Sequence, residues 1–399
     1  MSLVASESLQ TFSKPLKSTS APSKSYVLSL ASLPSCYAAS TSAPSNTIHL
    51  YDTSDLRVIA TLGGHEEGVT SLRAVDTVGG KNVRRLISSG RDGTVKVWDE
   101  RTGSVGIQMQ SAGRGRALLC CDVSSDGVTV VAGTDLQGED ALLQYWDPRF
   151  PVVPLRSHSS THSDDITALH FRHERSPGEH KNMLLSVSSD GLVCTSDADE
   201  PDEDEAVLHV GNWGCSIAQA GWMSPGSNGS AAAWASSDME TFSVWSNEMD
   251  LVQDLDIRSP SIHTPQLTWV TDYLIGCHRS VRDLHLFVGS NEGDIALINS
   301  SDLSSAGAPW RTRAVWSAGH VGVVRSHLWD ERNNVLLTGG EDSKLNMWPG
   351  PPVEALQPDE GMNIDSPPRK RDYDVEMDDG SETLDHVCSD FSSNPWELF

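Results

Sequence analysis

A serine, a histidine and an aspartate are the parts of a hydrolase triad, and His65, Ser88 and Asp92 bring all three together within a short stretch. Such a triad works when the hydroxyl can reach a substrate and an oxyanion site lies beside it. The spacing points elsewhere. Asp92 stands in Arg91-Asp92-Gly93, a turn between two short apolar runs; Ser88 lies four residues before it and Trp98 six residues after. His65 follows Gly64 ahead of the first run. The set recurs near the other end of the chain as His320, Thr338, Asp342 and Trp348, with hydroxyl, carboxylate and tryptophan at the same offsets. Two copies in one chain argue for a structural role rather than a catalytic one. Catalysis is not expected of these residues.

The elements that must hold them are short strands. LISSGRDGTVKVWD (86–99) reads as a strand, a tight turn and a second strand. LLTGGEDSKLNMW (336–348) repeats it closely, and LLSVSSDGLVCTSD (184–197), AAWASSDMETFSVWS (232–246) and LFVGSNEGDIALINSSD (286–302) repeat it with losses. Seven such strand ends can be marked: IHLYD, VKVWD, LLQYWD, LVCTSD, FSVWS, IALIN and KLNMW, ending at residues 52, 99, 147, 197, 246, 299 and 348. A period near fifty residues predicts an array of small sheets, here seven blades across 26–350. Ser186 and Asp190 survive in the fourth repeat, but Ser196 stands where the tryptophan belongs. Trp245, Trp234, Glu292 and Ile298 leave the fifth and sixth repeats without a firm register. WPGPP (348–352) stops the seventh before a fourth strand, so an N-terminal segment, with 8–18 as the candidate, is expected to close it and cover the exposed edge.

This pattern resembles the WD-repeat β-propellers. More narrowly it is similar to the family of WD repeat-containing protein 89 and its fungal relatives, in HSDDITALHF (162–171), TDYLIGCHRSVRDLHLFVGSNEGDIALIN (271–299) and GHVGVVRSHLWDERNNVLLTGGEDSKLNMW (319–348). The resemblance implies an all-β, seven-bladed propeller that holds partners and performs no chemistry. It also implies that His65, Ser88, Asp92 and Trp98, and His320, Thr338, Asp342 and Trp348, are tetrads that lock their blades. The DADEPDEDE insert and the weak fourth repeat depart from it.

Composition agrees with many strands and turns: 399 residues include 32 Gly, 20 Pro and 12 Trp. No run of 18 apolar residues suggests a membrane span, and no apolar leader opens the chain, which reads as intracellular. The seven cysteines form no C-x-x-C pair and no metal pattern, so buried free thiols are expected, with no metal and no cofactor. Net charge is −26 and uneven. Residues 351–399 carry thirteen Asp or Glu against Arg369, Lys370 and Arg371, and DADEPDEDE (197–205) adds seven more acids. Direct nucleic-acid binding is disfavoured without a clustered basic face. A basic protein partner, such as a histone or ribosomal protein, is the better electrostatic match. The chain is expected as a monomer within a complex.

Several surfaces offer themselves. Glu66, Glu67, Asp164 and Asp165 fall in blade-entry loops on one rim of the channel, where acids suit a Lys- or Arg-rich peptide or simply keep the surface soluble. Arg114 and Arg116 should share that rim. On the other face, Trp98-Asp99-Glu100-Arg101 and Trp146-Asp147-Pro148-Arg149 match the W-D-x-R pattern of cullin-RING ubiquitin-ligase substrate receptors. In those receptors the arginine pairs with the adaptor, which makes Arg101 and Arg149 candidates; Trp329-Asp330-Glu331-Arg332 matches too, but on a first strand. DADEPDEDE should leave the bottom edge of blade four as a solvated loop or a clamp for a basic partner. Residues 1–25 (possible closing strand apart) and the acidic 351–399 read as disordered tails. SPPRKRD (366–372) resembles an import signal, with Arg369, Lys370 and Arg371 as its cations and the nucleus, and also the cytoplasm, as the expected location.

Overall fold

Runs such as Val95–Trp98 and Leu184–Val187 place aliphatic and β-branched residues close together, and these fold as strands because such side chains pack well across a pleated surface. The computed structural model describes residues 3–351 apart from 113–114, 175–179, 225–230, 259–260, 265–266, 281–282, 301 and 306. They form a seven-bladed propeller of antiparallel meanders, with a single helical turn at Glu203–Ala206. Six blades run continuously, over 27–62, 69–110, 118–158, 166–212, 217–256 and 273–316; the seventh takes its first three strands from 324–349. All seven strand ends marked in the sequence are third strands of blades.

One backbone feature repeats in every blade. Near its start, each first strand carries a bulge against its second strand, at Val27/Ser29, Val69/Ser71, Leu118/Cys120, Ile166/Ala168, Ile217/Gln219, Leu274/Gly276 and Val324/Ser326. The extra residue raises the local twist at the same point each time. The strand pairings give the register of the fifth and sixth blades, which the degenerate sequence left open.

The apolar core is divided among the seams between blades. Leu50, Leu72, Leu86 and Trp98 join blades one and two; Val97, Val123, Val130 and Trp146 join two and three; Phe287, Trp316, Leu336 and Trp348 join six and seven. The ring closes where Val27, Tyr37 and Tyr51 of blade one meet Leu337 and Met347 of blade seven. Tyr37 adds a hydrogen bond across that seam to Asp330, at 2.9 Å.

The N-terminal segment corrects the expectation of disorder over 1–25. Lys17–Ser20 (β2) pairs antiparallel with Lys344–Met347 and is the fourth strand of blade seven. The donor therefore overlaps the expected 8–18 only at its end. Leu3–Phe12 (β1) pairs in parallel with Trp310–Trp316 and gives blade six a fifth strand. The Ser- and Lys-rich composition says disorder, but two bare sheet edges supply ladder partners that composition cannot show. Residues 352–399, and with them Arg369, Lys370 and Arg371, lie outside the described residues.

Candidate functional site

The structure brings His65, Ser88, Asp92 and Trp98 together in one chain of hydrogen bonds. Trp98 Nε1 donates to Ser88 Oγ at 2.9 Å, Ser88 Oγ lies 2.8 Å from His65 Nε2, and His65 Nδ1 lies 2.8 Å from Asp92 Oδ1. An ionised carboxylate only accepts, so Nδ1 carries the proton and the serine hydroxyl donates to Nε2. The Thr94 hydroxyl and the Glu66 backbone N–H also donate to Asp92. Burial opposes ionisation of Asp92, yet the bonds from His65 and Thr94 prevail and hold its carboxyl well below the usual range. The second set has the same geometry: Trp348 Nε1 to Thr338 Oγ1 at 2.9 Å, Thr338 to His320 at 2.8 Å, and His320 to Asp342 at 3.0 Å. Burial opposes ionisation of Asp342 as well, but His320 and the backbone N–H groups of Lys344 and Val321 together hold it down at about 2. Ser88 and Thr338 are fully buried, which closes both hydroxyls to any substrate.

Sequence reasoning missed several participants. Blade four keeps three members of the set: His162 Nε2 lies 2.8 Å from Ser186 Oγ and Nδ1 lies 3.4 Å from Asp190. Its histidine follows Thr161 rather than Gly, and Ser196 replaces the tryptophan. Lys96 Nζ caps the Gly64 carbonyl at 2.9 Å, and Asn346 does the same for Gly319. Gly93 has φ near +70°, and a Cβ there would press on the Arg116 carbonyl, which is why the Asp92 turn takes glycine.

Comparison with known proteins agrees with this geometry. The family model "WD domain, G-beta repeat" matches residues 56–99, which span the tetrad of blade two. The chain is a WD-repeat β-propeller protein. It is 26% identical to the WD repeat-containing protein 89 homolog of Dictyostelium discoideum, over 82% of this chain and 83% of that one. It is also 24% identical to an uncharacterized WD repeat-containing protein of Saccharomyces cerevisiae, over 75% of this chain and 73% of that one. Among solved structures, the computationally designed Ika8 protein aligns with a TM-score of 0.57 and 17% identity, over 85% of this chain and 98% of its own. That likeness concerns the fold alone.

Within this WD-repeat propeller, strand alternation sends the blade-entry loops and the turns between second and third strands to one face. Glu66 and Glu67 are exposed there, and Asp164 and Asp165 are half-buried. Asp165 accepts the Leu136 N–H at 2.7 Å, so it is partly engaged within the fold. Asp135, Glu139, Asp140, Asp238 and Glu292 lie in the same set of turns. Arg116 donates to the Gln137 and Asp140 carbonyls, and Arg325 pairs with Glu341. Arg114 lies outside the described residues.

On the opposite face Arg101 and Arg149 follow the third strands of blades two and three. Their side chains are 80% and 52% exposed, and each folds back onto the aspartate of its own motif, Asp99 or Asp147. Trp329 and Asp330 end a first strand.

The acidic insert is not simply a solvated loop. The Glu203 carboxylate accepts the N–H groups of Ser159, Ser160 and Thr161 at 2.7–2.8 Å, pinning the segment that leads into His162. Burial opposes this charge, but those donors and the Thr161 hydroxyl hold its carboxyl below the ordinary range. Asp197 pairs with His180 and Asp199 accepts from Asn182.

Cys36, Cys120, Cys121 and Cys194 are buried free thiols, and burial pushes Cys121 up to about 12.

Proposed function

We propose that this WD-repeat propeller is a scaffold that holds a basic segment of a protein partner against its acidic face. The observation that carries the reading is the excess of exposed carboxylates there, Glu66, Glu67, Glu139, Asp140, Asp238 and Glu292, over the exposed cations Lys24 and Arg91, while Arg116 and Arg325 on that face already have acceptors. Opposed charge raises encounter rates and fixes orientation. Histone and ribosomal-protein segments are the partner classes with matching chemistry. The test is titration of the full chain with a Lys/Arg-rich histone-tail peptide over a range of salt. Binding should weaken as salt rises and fall at least about tenfold in Glu66→Lys/Glu67→Lys. Absence of binding, or equal binding by the variant, rejects the proposal.

A second reading is favoured by the exposure of Arg101 and Arg149 on adjacent blades. In it the chain is a substrate receptor whose arginines meet a ubiquitin-ligase adaptor. Arg101→Ala with Arg149→Ala should then abolish adaptor co-purification at an unchanged melting temperature; recovery that survives the double change rejects it. The proposed location is the nucleus, through Arg369, Lys370 and Arg371.

A further inference from the structure

Among the described residues blade six alone has five strands, the fifth being β1 on the outer edge of Trp310–Trp316. Its pairing is parallel, whereas a chain continuing through a hairpin pairs antiparallel. β1 is held in two short ladders. Leu3, Val4 and Ala5 stand opposite Trp310, Arg311 and Thr312; Gln10, Thr11 and Phe12 stand opposite Ala314, Val315 and Trp316. Between them only Arg313 faces the whole of Ser6–Leu9. The resident strand thus places ten residues along an edge of seven and is three residues too long for it.

Its side-chain anchors sit at the ends. Leu3 is buried in the cluster around Trp310, and Phe12 stacks on Trp316 with ring centroids 5.8 Å apart. Leu9 adds a partial contact from the bulge, and much of the rest is exposed. Closure of the propeller is handled separately by β2 in blade seven. Loss of β1 would therefore bare an edge strand, Trp-Arg-Thr-Arg-Ala-Val-Trp, without opening the ring.

We propose that this edge of blade six is a strand-acceptor site, filled in the chain by Leu3–Phe12 and open by exchange to an extended segment of a protein partner. The partner segment has an aliphatic residue that enters the cluster at Trp310 and, six residues on, an aromatic residue that stacks on Trp316. That spacing follows from the edge, since a regular strand matches the six-residue separation of the two tryptophans that β1 reaches only through a bulge. Main-chain hydrogen bonds supply the affinity and the two end pockets the selectivity.

The test uses the chain lacking residues 1–13, which retains β2, and two labelled peptides read by fluorescence anisotropy. One peptide is residues 2–13; the other is the same peptide without Glu7–Leu9, which removes the bulge. Both should bind the truncated chain saturably, the shortened one at least about fivefold tighter, and Phe12→Asp in either should weaken binding tenfold or more. On the full chain binding should be roughly a hundredfold weaker, because the tethered strand competes at an effective concentration on the order of mM. A folded truncated chain that binds neither peptide, or equal binding by truncated and full chains, overturns the proposal. Hydrogen exchange on the unaltered full chain decides the matter if truncation prevents folding. Amides of 3–12 should exchange well ahead of those of Ile295–Ser300, and equal protection would make β1 an integral strand and overturn the proposal.

Discussion

Trp98 and Trp146 end the third strands of adjacent blades, and both are buried in a seam, yet they differ in one hydrogen bond. Trp98 Nε1 donates to Ser88, while Trp146 Nε1 has no hydrogen-bond partner among the described residues. Replacing either by Phe removes about 40 Å³ of side chain, which at ~24 cal/mol per Å³ of residual cavity costs about 1 kcal/mol. At Trp98 the change also deprives Ser88 of its donor, adding about 1 kcal/mol. At Trp146 it removes an unpaired buried N–H, which offsets part of the cavity cost. The expected losses are therefore about 2 kcal/mol for Trp98→Phe and under about 1 kcal/mol for Trp146→Phe. Urea melts followed by circular dichroism should show the difference as a lower midpoint at constant slope. In a Ser88→Ala background the extra cost at Trp98 should vanish, since the coupled partner is gone. Equal losses at the two tryptophans, or a cost at Trp98 that survives Ser88→Ala, would refute the hydrogen-bond account of the tetrad.

Three further outcomes follow from described contacts. Asp342 has a folded-state pKa of about 2, below its unfolded value, so its contribution is complete above about pH 4 and is lost as pH falls towards 2. Asp342→Asn should lower the melting temperature at pH 7 and shrink the drop between pH 4 and 2; an unchanged acid profile would contradict this. Glu203→Gln should cost about 1 kcal/mol or more, because the carboxylate accepts through both oxygens, Oε2 from Ser159 and Oε1 from Ser160 and Thr161, whereas Gln offers one neutral oxygen and turns an NH2 donor towards the other N–H. Hydrogen exchange should speed up at those amides, and Asp204→Asn should leave them alone. For the proposed location, changing Arg369, Lys370 and Arg371 together to Ala should move a tagged chain from nucleus to cytoplasm, and a wild type spread evenly through the cytoplasm would reject the idea.

The third strands and two tetrads were legible because their signals are local: a turn with Asp92 or Asp342, a hydroxyl four residues earlier, and a tryptophan six later. His162 escaped notice because its neighbours changed, Thr161 for glycine and Ser196 for tryptophan, although its own distances to Ser186 and Asp190 survive. The seven bulges leave no residue signature, since the slip from Val69 to Ser71 or from Ile217 to Gln219 is a backbone event that different side chains accommodate. Glu203 read as one charge in an acidic run; what distinguishes it is three amide donors from a loop more than forty residues away. Strands β1 and β2 were the hardest to read. Their stability rests on edges formed by residues 310–316 and 344–347, and nothing in Ser2–Ser20 announces those partners.

The pairing of β2 with Lys344–Met347 has a consequence for synthesis of the chain. Ser20 leaves the ribosome early, but Lys344 follows more than three hundred residues later. At about 5–20 residues per second, the closing strand waits roughly 15–65 s for its partner. Blades one to five lie wholly within 27–256 and can form during that interval as an open arc. Throughout that time the first blade's seam residues Val27, Tyr37 and Tyr51 lack blade seven. Nascent chains arrested before residue 344 should therefore expose that apolar face, and with it a binding site for chaperones that disappears on completion.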